Sequence, residues 1–321
     1  MSDKLSDVRE LARGLPRRPL LAVGVLLLLA VPFLFPSQSD LATEALVFAL
    51  FAISVDLVLG YAGLLTLAPA AFFGLGAYTV AKLVVDYGQS FWLGFPLAIV
   101  LALILAFIVG YVPIKRRIGN VYFVLFTLAF GAIVHDFTYV TTWLTGGSDG
   151  LGFFGPPEVL GIDLGDSTPY YYFTLLIVGI IGYGLYLLIK SDYGDVLHAT
   201  RQNELRMRYL GYDTDREKLV AWVLSAVTSA LAGALFVGTV GLAAPSMMSF
   251  QLSGEVIIWT VVGGTGTFVG PFIAAIVLHI VNNYLGNVWP EGYLIVLGVL
   301  FVGFVFLLPE GVMGAIRKRL R

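Results

Sequence analysis

Long apolar runs separated by short polar segments extend along the chain from Leu20 to Leu308. Most runs approach the length of about 20 apolar residues that a helix needs to cross about 30 Å of hydrocarbon. The pattern predicts about ten membrane-spanning helices. Their predicted bounds are 20–36, 41–60, 62–85, 92–113, 118–140, 169–189, 218–241, 252–268, 270–287 and 291–309. We therefore expect an all-α polytopic membrane protein.

Two predicted spans are interrupted, one by Pro69 and the other by the GGTGT sequence at 263–267. Irregular backbone at membrane depth is tolerated where it is buried in protein or lines a watery path, and transporters often place it along the translocation route. A kink relieved by neighbouring helices is the alternative. The candidate pathway residues are Asp56, Thr66, Pro69, Gly74, Gly76, Gly263, Gly264 and Gly266. Five spans in each half would suit an inverted repeat, although no residue-level repeat is visible.

The basic residues predict the orientation of the chain, because cytoplasmic loops retain Lys and Arg. Of the 19 Lys and Arg residues, only Lys82 falls outside the segments that this topology places in the cytoplasm. These segments are an N-terminal tail (1–19), a short turn (115–117), a polar loop (190–217) with the adjacent Lys218, and a basic C-terminus (317–321). Both termini are thus predicted to be cytoplasmic, flanking one transmembrane domain (20–316) that has an outer loop at 141–168.

The polar loop contains the sequence SDYGDVLHATRQNELRMRYLGYDTDREK. Glu204 and Arg208 form a favourable i,i+4 pair, and Gly211 can end a helix, so one short cytoplasmic helix is predicted. Thr214 and Glu217 have capping-box spacing before the next span. A solvated helical linker would show the same charge pattern.

Small residues are frequent, with 37 glycines in 321 residues. In the span 218–241 they form two i,i+4 rows, which allow helix backbones to approach closely in lipid. The rows are Ser225, Ser229 and Gly233, and Ala226, Ala230, Ala234 and Gly238. This span is predicted to be tightly packed within the bundle.

Chemical motifs are scarce. The chain has no cysteine and no G-x-x-x-x-G-K-[ST] phosphate-binding loop, and its histidines lack metal-ligand spacing. We therefore expect no catalytic residues, bound cofactor, metal or nucleic-acid partner; if ATP drives the protein, another chain hydrolyses it. The sequence FPSQSD after the first run lacks a small-x-small cleavage site, so that run is predicted to remain as a span. Polar groups within the spans, such as Asp56, Glu255 and His279, are interpreted as hydrogen-bonded interior groups.

The outer loop contains the sequence TGGSDGL, whose glycines allow exposed backbone N–H groups. Such groups can meet a carboxylate or a docking protein, or the turn can simply shape an outer vestibule. The candidate vestibule residues are Thr145, Gly146, Gly147, Asp149 and Gly150.

The stretch GDVLHATRQNELRMRYLGYD resembles the cytoplasmic loop of LivM-like permease subunits in the branched-chain amino acid class of ABC importers. The family pattern is roughly G-R-x-x-x-A-x-R-E/D-N-E-x-x-A-x-x-x-G. Asp195 and Met207 depart from it, where Arg and Ala are usual. The matching residues are Gly194, Ala199, Arg201, Asn203, Glu204 and Gly211.

The resemblance extends from about residue 45 to the C-terminus. GYAGLLTLAPAAFFGLGAYT at 60–79 is similar to a family segment, with Thr66, Ala68 and Pro69 where Ser, Gly and His are common. NVYFVLFTLAF, TGGSDGL, VVGGTGTFVGP and LPEGVMG follow in the family order. Each motif alone is weak, but together they indicate the family.

The resemblance implies a permease subunit of an ATP-driven importer in the cytoplasmic membrane, for branched-chain or related apolar amino acids. Its implied partners are a second homologous permease, two ABC ATPase subunits that hold ATP and Mg²⁺, an extracytoplasmic solute-binding protein and membrane lipid. The polar loop would be the coupling helix, and we hypothesise that Arg201 and Glu204 lie at its docking surface.

Other functions remain open at this point. Related permeases carry urea and short amides. A secondary carrier would need its own coupling-ion site, for which Asp56 is the one modest candidate. A membrane enzyme would need a cluster of acids or histidines, which the sequence lacks.

Overall fold

The computed structural model describes residues 17–152, 158–159, 162–163, 166–288 and 311–314, with a few residues between 292 and 303. Most of the predicted N-terminal tail, the span predicted at 291–309 and the basic C-terminus lie outside the described residues.

The described chain is mainly helical, and its helices follow the apolar runs. They are α1 (Arg17–Leu34), α2 (Ser39–Asp56), α3 (Pro69–Tyr87), α4 (Phe91–Lys115), α5 (Asn120–Val140), α6 (Thr142–Thr145), α7 (Ser167–Lys190), α8 (Asp192–Gln202), α9 (Glu204–Tyr209), α10 (Thr214–Val240), α11 (Phe250–Gly263) and α12 (Val269–Val288). Four two-residue strands form two antiparallel pairs: β1 (Leu151–Gly152) with β4 (Leu242–Ala243), and β2 (Glu158–Val159) with β3 (Ile162–Asp163).

Six helical segments of the described chain are long and apolar enough to cross a membrane. They are Pro36–Tyr61, Phe91–Lys115, Asn120–Val140, Ser167–Lys190, Thr214–Val240 and Val269–Val288. The chain is therefore a polytopic helical membrane protein, as the hydrophobic pattern predicts. The count of ten spans and the orientation of the termini stay predictions.

Both predicted interruptions are present, but they end the helices instead of bending them. Helix α2 widens into a π-helical turn at Leu57–Tyr61, and α3 begins only at Pro69, whose ring suits the first helical position. The predicted span 62–85 therefore starts seven residues too early. Helix α11 has 14 residues, about 21 Å at 1.5 Å per residue, and the chain reverses through residues 264–268 into α12.

Helix α10 is the central helix and packs against α2, α3 and α4. The small-residue rows make these contacts: a Cβ at Gly233 would lie 1.8 Å from the carbonyl oxygen of Phe73. Hydroxyl groups add interhelical hydrogen bonds, since Ser225 donates to the carbonyl of Ser54 (2.6 Å) and Ser54 bonds to Ser229 (2.8 Å). The prediction of tight packing at this helix is confirmed.

Helix α10 also sets the two ends of the bundle. It begins at Thr214, directly after the polar loop, and it finishes at Val240, beside the strand pair β1–β4. We call these the polar-loop end and the opposite end. Helices α5 and α7 expose many large apolar side chains along the flank, among them Ile133 and Ile180, as suits lipid contact.

The contact of α3 with α10 gives a prediction about stability. A Cβ at Gly76 would lie 1.8 Å from the carbonyl oxygen of Ala230. The variant Gly76→Ala should force the helices apart and lose about 1–3 kcal/mol of stability, the usual cost of overpacking. The apparent melting temperature of the detergent-purified protein measures this loss.

Gly184→Ala is the matched control, because a Cβ at this helical position meets nothing within 4 Å. It should keep or slightly raise the melting temperature, since Ala is favoured over Gly in helices by about 1 kcal/mol. Equal melting temperatures for the two variants would contradict the assigned packing.

Candidate functional site: the polar loop and the Asp56 junction

The polar loop forms two helices, α8 and α9, where the sequence analysis predicts one. Asn203 separates them in an extended conformation (φ −156°), and its side-chain oxygen accepts a hydrogen bond from the N–H of Arg206 at 2.9 Å. An N-cap of this kind starts a new helix. Gly211 then adopts φ +92°, so its predicted role as a helix stop is confirmed.

The start of α10 differs from the predicted capping box. Asp213 is the N-cap, and its carboxylate accepts a hydrogen bond from the N–H of Arg216 at 3.2 Å. Asp competes well for this position because its carboxylate also suits the positive end of the helix dipole. The Thr214 hydroxyl instead accepts a hydrogen bond from Nε of Arg208 at 2.8 Å.

An ion cluster joins α9 to α10. Glu204 pairs with Arg208, as its i,i+4 spacing predicts, and accepts a hydrogen bond from Nζ of Lys218 at 2.6 Å. Arg208 also contacts Asp215 (3.2 Å), which receives a two-pronged bond from Arg117 of the α4–α5 connection, with Nη2 at 2.9 Å. The cluster therefore ties three parts of the polar-loop end into one unit.

The ion pairs of the cluster favour the charged forms of Glu204 and Arg117. Burial would raise the pKa of the Glu204 carboxyl, but the hydrogen bond from Lys218 and the charges of Lys218 and Arg208 together hold it below its ordinary value. The hydrogen bond and charge of Asp215 raise the pKa of the Arg117 guanidinium above its already high value. Glu204 is therefore engaged within the loop, and its place at a docking surface stays a prediction.

Asp56 is the second centre of the site. Its side chain is fully buried at the end of α2. One carboxylate oxygen accepts a hydrogen bond from the N–H of Gly266 (2.6 Å) and the other from the N–H of Phe268 (3.1 Å). The hydrogen-bonding interpretation of this acid is thus confirmed, and its partners are the irregular backbone between α11 and α12.

Close backbone contact surrounds this carboxylate. A Cβ at Gly60 would lie 2.0 Å from Asp56 Oδ1 and 2.3 Å from the nitrogen of Gly266, so only glycine fits in the π-helical turn. Phe268 adopts φ +64°, which is uncommon for a bulky residue. The bond to Asp56 helps to hold this strained conformation.

Arg201 connects the polar loop to this centre. Its guanidinium donates a hydrogen bond to the carbonyl of Gly60, and its stem lies against Gly63, where a Cβ would be 2.9 Å from Arg201 Cγ. A Cβ at Gly266 would lie 3.1 Å from Arg201 Nη1. The guanidinium of Arg201 therefore contacts the membrane domain, although the residue as a whole is exposed. Its place at a docking surface also stays a prediction. We call Asp56, Gly60, Arg201, Gly266 and Phe268 the Asp56 junction.

The remaining loop residues of the family motif shape the backbone. A Cβ at Gly194 would lie 2.0 Å from the carbonyl oxygen of Ile189, so glycine lets α8 fold back against the end of α7. Ala199 lies within α8, between the loop's entry and Arg201.

The exposed surface of the loop also contains residues that are not among the predicted site residues. Their side chains are large and apolar, and Tyr209 is 89% exposed. They sit on α9 and the turn after it. The members are Leu205, Tyr209, Leu210 and Tyr212. We call this set the apolar tip.

The predicted pathway residues are mostly packed in the interior. Thr66, Pro69, Gly74 and Gly76 are buried around the start of α3, and Gly263 and Gly264 are buried at the end of α11. Gly74 lies against Met248, and Gly263 against Gly270. None of the eight candidates lines the two cavities described below. Their part in a pathway stays a prediction.

The predicted vestibule residues lie at the opposite end of the bundle, beside the segment that connects α10 to α11. Thr145 donates to the carbonyl of Thr138 (2.6 Å), and Gly146, Gly147 and Gly150 adopt positive φ. A Cβ at Gly150 would lie 2.2 Å from the carbonyl oxygen of Ala243, next to the β1–β4 pair. Asp149 is exposed there.

A cavity of about 410 Å³ opens at this end, near the vestibule loop. Its lining includes the aromatic residues Phe48, Phe73 and Phe236 and the acid Glu255. The sequence pattern shows Glu255 as one acid within an apolar run, but it gives no sign that aromatic side chains from three other helices share a cavity with it.

The family is evident from comparison with known proteins. A family model described as a branched-chain amino acid transport system permease component matches residues 37–305. The high-affinity branched-chain amino acid transport system permease protein LivM of Salmonella typhimurium (strain LT2) is 30% identical over 322 aligned residues, covering 92% of this chain and 75% of the relative. LivM of Escherichia coli (strain K12) is 29% identical with the same coverage.

More distant similarity covers about half of the chain. The probable branched-chain amino acid transport permease protein LivH of Methanocaldococcus jannaschii is 25% identical over 165 residues, 47% of this chain and 50% of the relative. No solved structure gives a significant match. The family match spans most of the sequence and agrees with the helical membrane architecture. The chain therefore belongs to the family of permease components of branched-chain amino acid transport systems.

Proposed function

We propose that this chain is the permease subunit of an ATP-driven importer for branched-chain or related apolar amino acids. It acts in the cytoplasmic membrane with a second, homologous permease, two ATPases that hold ATP and Mg²⁺, and an extracytoplasmic binding protein. Family membership and the two LivM relatives support the substrate class. The chain itself makes and breaks no bond of the substrate.

The observation that carries the coupling role is the apolar tip on its rigid support. Four large apolar side chains are exposed on α9 and the turn that follows it, next to charged residues. Aromatic and aliphatic anchors on a rigid support are typical of protein interfaces. A cytoplasmic ATPase is the partner that this face suits, because the loop lies at the end predicted to be cytoplasmic.

The Asp56 junction supplies the route from the docked ATPase to the membrane helices. Displacement of α9 pulls on α8 through the short connection at Asn203, and Arg201 of α8 is bonded to the carbonyl of Gly60. Gly60 in turn lies against Gly266 of the α11–α12 loop. Rigid-body movement of the loop is thereby transmitted to α2, α11 and α12.

Reconstitution tests the proposed function. The chain is placed in liposomes with its partner permease, ATPases and binding protein, and ATP-dependent uptake of labelled leucine is measured. We expect uptake that disappears when either the ATPases or the binding protein are left out. Uptake of leucine by this chain alone would identify a secondary carrier, and uptake of urea without leucine would replace the substrate class.

The apolar tip should be the docking surface. The double variant Leu205→Ala/Tyr209→Ala removes two exposed anchors and should weaken ATPase binding by about 2–4 kcal/mol, at least tenfold in Kd. Binding of the purified ATPase to permease in detergent measures the change. Tyr183→Ala removes another exposed aromatic side chain, on α7 away from the loop, and should leave the Kd unaltered. Equal affinity of the double variant and the wild type would refute this docking surface.

Arg201 should transmit movement of the polar loop to the membrane helices. Arg201→Ala removes a charged hydrogen bond, so the leucine imported per ATP hydrolysed should fall about tenfold. Arg201→Lys keeps a donor without the planar fork and should retain part of the coupling. Arg116→Ala removes an exposed arginine at the same end and should retain all of it. If Arg201→Ala imported as much leucine per ATP hydrolysed as the wild type, the assigned route would be wrong.

A further inference from the structure

The cavity at the opposite end of the bundle combines an aromatic wall with an acid. Phe48, Phe73 and Phe236 contact one another in one stacked, one edge-on and one tilted pair, with ring centroids 5.3–5.8 Å apart, and form a rigid apolar surface. Glu255 of α11 lines the same cavity. The volume of this cavity, about 410 Å³, is in the range of small-molecule sites, about 300–1,000 Å³.

Glu255 also borders a second, more polar cavity, formed with residues of α12. Its oxygens accept hydrogen bonds from Nε2 of Gln251 (3.2 Å) and Nδ2 of Asn282 (3.5 Å). It has no ion-pair partner among the described residues, because the neighbouring His279 pairs with Glu44 (3.2 Å). An acid within a membrane domain usually faces a compensating partner. Here Glu255 lines both cavities.

Asn282 adds a second unsatisfied group. Its Oδ1 is buried and accepts no hydrogen bond from the described residues, while its amide nitrogen reaches Glu255. Buried acceptors of this kind are normally satisfied. A donor that enters beside Glu255 would satisfy both oxygens, and a primary ammonium carries three donors.

The rim of the cavity favours a negative group. It includes the N-terminus of α11, where Ser249 caps the helix through a 3.2 Å bond from the N–H of Leu252, and the exposed Ser246. Helix N-termini attract carboxylates. The bond from Gln251 holds Glu255 close to this first turn. Glu255, which attracts a cation, therefore lies beside the helix N-terminus, which attracts an anion.

We propose that this cavity binds an apolar α-amino acid as a zwitterion on its way through the permease. The ammonium group meets Glu255 at the border with the second cavity, which Asn282 lines. The carboxylate meets the first turn of α11, and the side chain lies on the aromatic wall. A neutral amide would leave Glu255 uncompensated, and a sugar would set hydroxyl groups against phenyl rings. This assignment rests on the proposed function and identifies where in the chain the substrate class is recognised.

The chain has no cysteine, so a single introduced thiol can report on the cavity in the assembled transporter. Ser246→Cys places a nearly isosteric thiol on the rim. Its modification rate is measured with a trimethylammonium and with a neutral methanethiosulfonate reagent. We expect the cationic reagent to react preferentially, and we expect Glu255→Gln in the same background to lower the ratio of the two rates at least about fivefold, the effect of one nearby charge in a wet site.

Protection identifies the ligand class. Leucine should slow modification of Ser246→Cys, and urea at the same concentration should not. Ser148→Cys is the matched control, an exposed serine at the same end outside the cavity, beside the carboxylate of Asp149 (3.1 Å). At that position the Glu255→Gln change and leucine should both be without effect.

Three results would overturn the site. The first is an unreactive thiol at 246, which would mean that another subunit covers the cavity. The second is a ratio of cationic to neutral modification rates that Glu255→Gln leaves unchanged. The third is protection by urea but not by leucine. The labelling needs no transport, so its failure is separate from failure of the uptake experiment. Leucine uptake by the wild type without protection at 246 would leave the proposed function intact and remove this site.

Discussion

The buried carboxylate of Asp56 is the constraint on which the polar-loop end depends. An acid without a partner at the centre of a membrane helix costs about 2.5–3.5 kcal/mol on insertion scales. The loop between α11 and α12 has the opposite need, because its non-helical N–H groups require acceptors. The bonds from Gly266 and Phe268 to Asp56 meet both needs at once. The approach is possible only because Gly60 has no side chain.

The same contact connects two regions that are far apart in the sequence. Arg201 brings the polar loop to the carbonyl of Gly60, and the ion cluster around Glu204 holds α9 against α10. Helix α11 then extends from the Asp56 junction to the cavity that Glu255 lines. A 14-residue helix is stiff over this length, so displacement of one end also displaces the other.

Close packing around α10 makes such movement a displacement of whole helices. Backbones that touch at Gly76 and Gly233 leave little room for side chains to absorb a shift. The apolar flanks of α5 and α7 are free of these contacts and suit lipid or a second permease. The chain thus combines a rigid centre with exposed surfaces at the polar-loop end and along its sides.

The sequence by itself determined the membrane class, most helix positions, the tight packing of α10 and the family, because apolar length, small-residue spacing and collinear motifs are local properties. It also marked Asp56 and the glycine breaks as unusual. Only the tertiary structure decided that Asp56 bonds to residues more than 200 positions away, that Arg201 points inward, and that Asn203 divides the polar loop. The cavity follows the same rule: Phe48, Phe236 and Glu255 come together only when α2, α10 and α11 pack, and hydrophobic periodicity carries no information about which helices are neighbours.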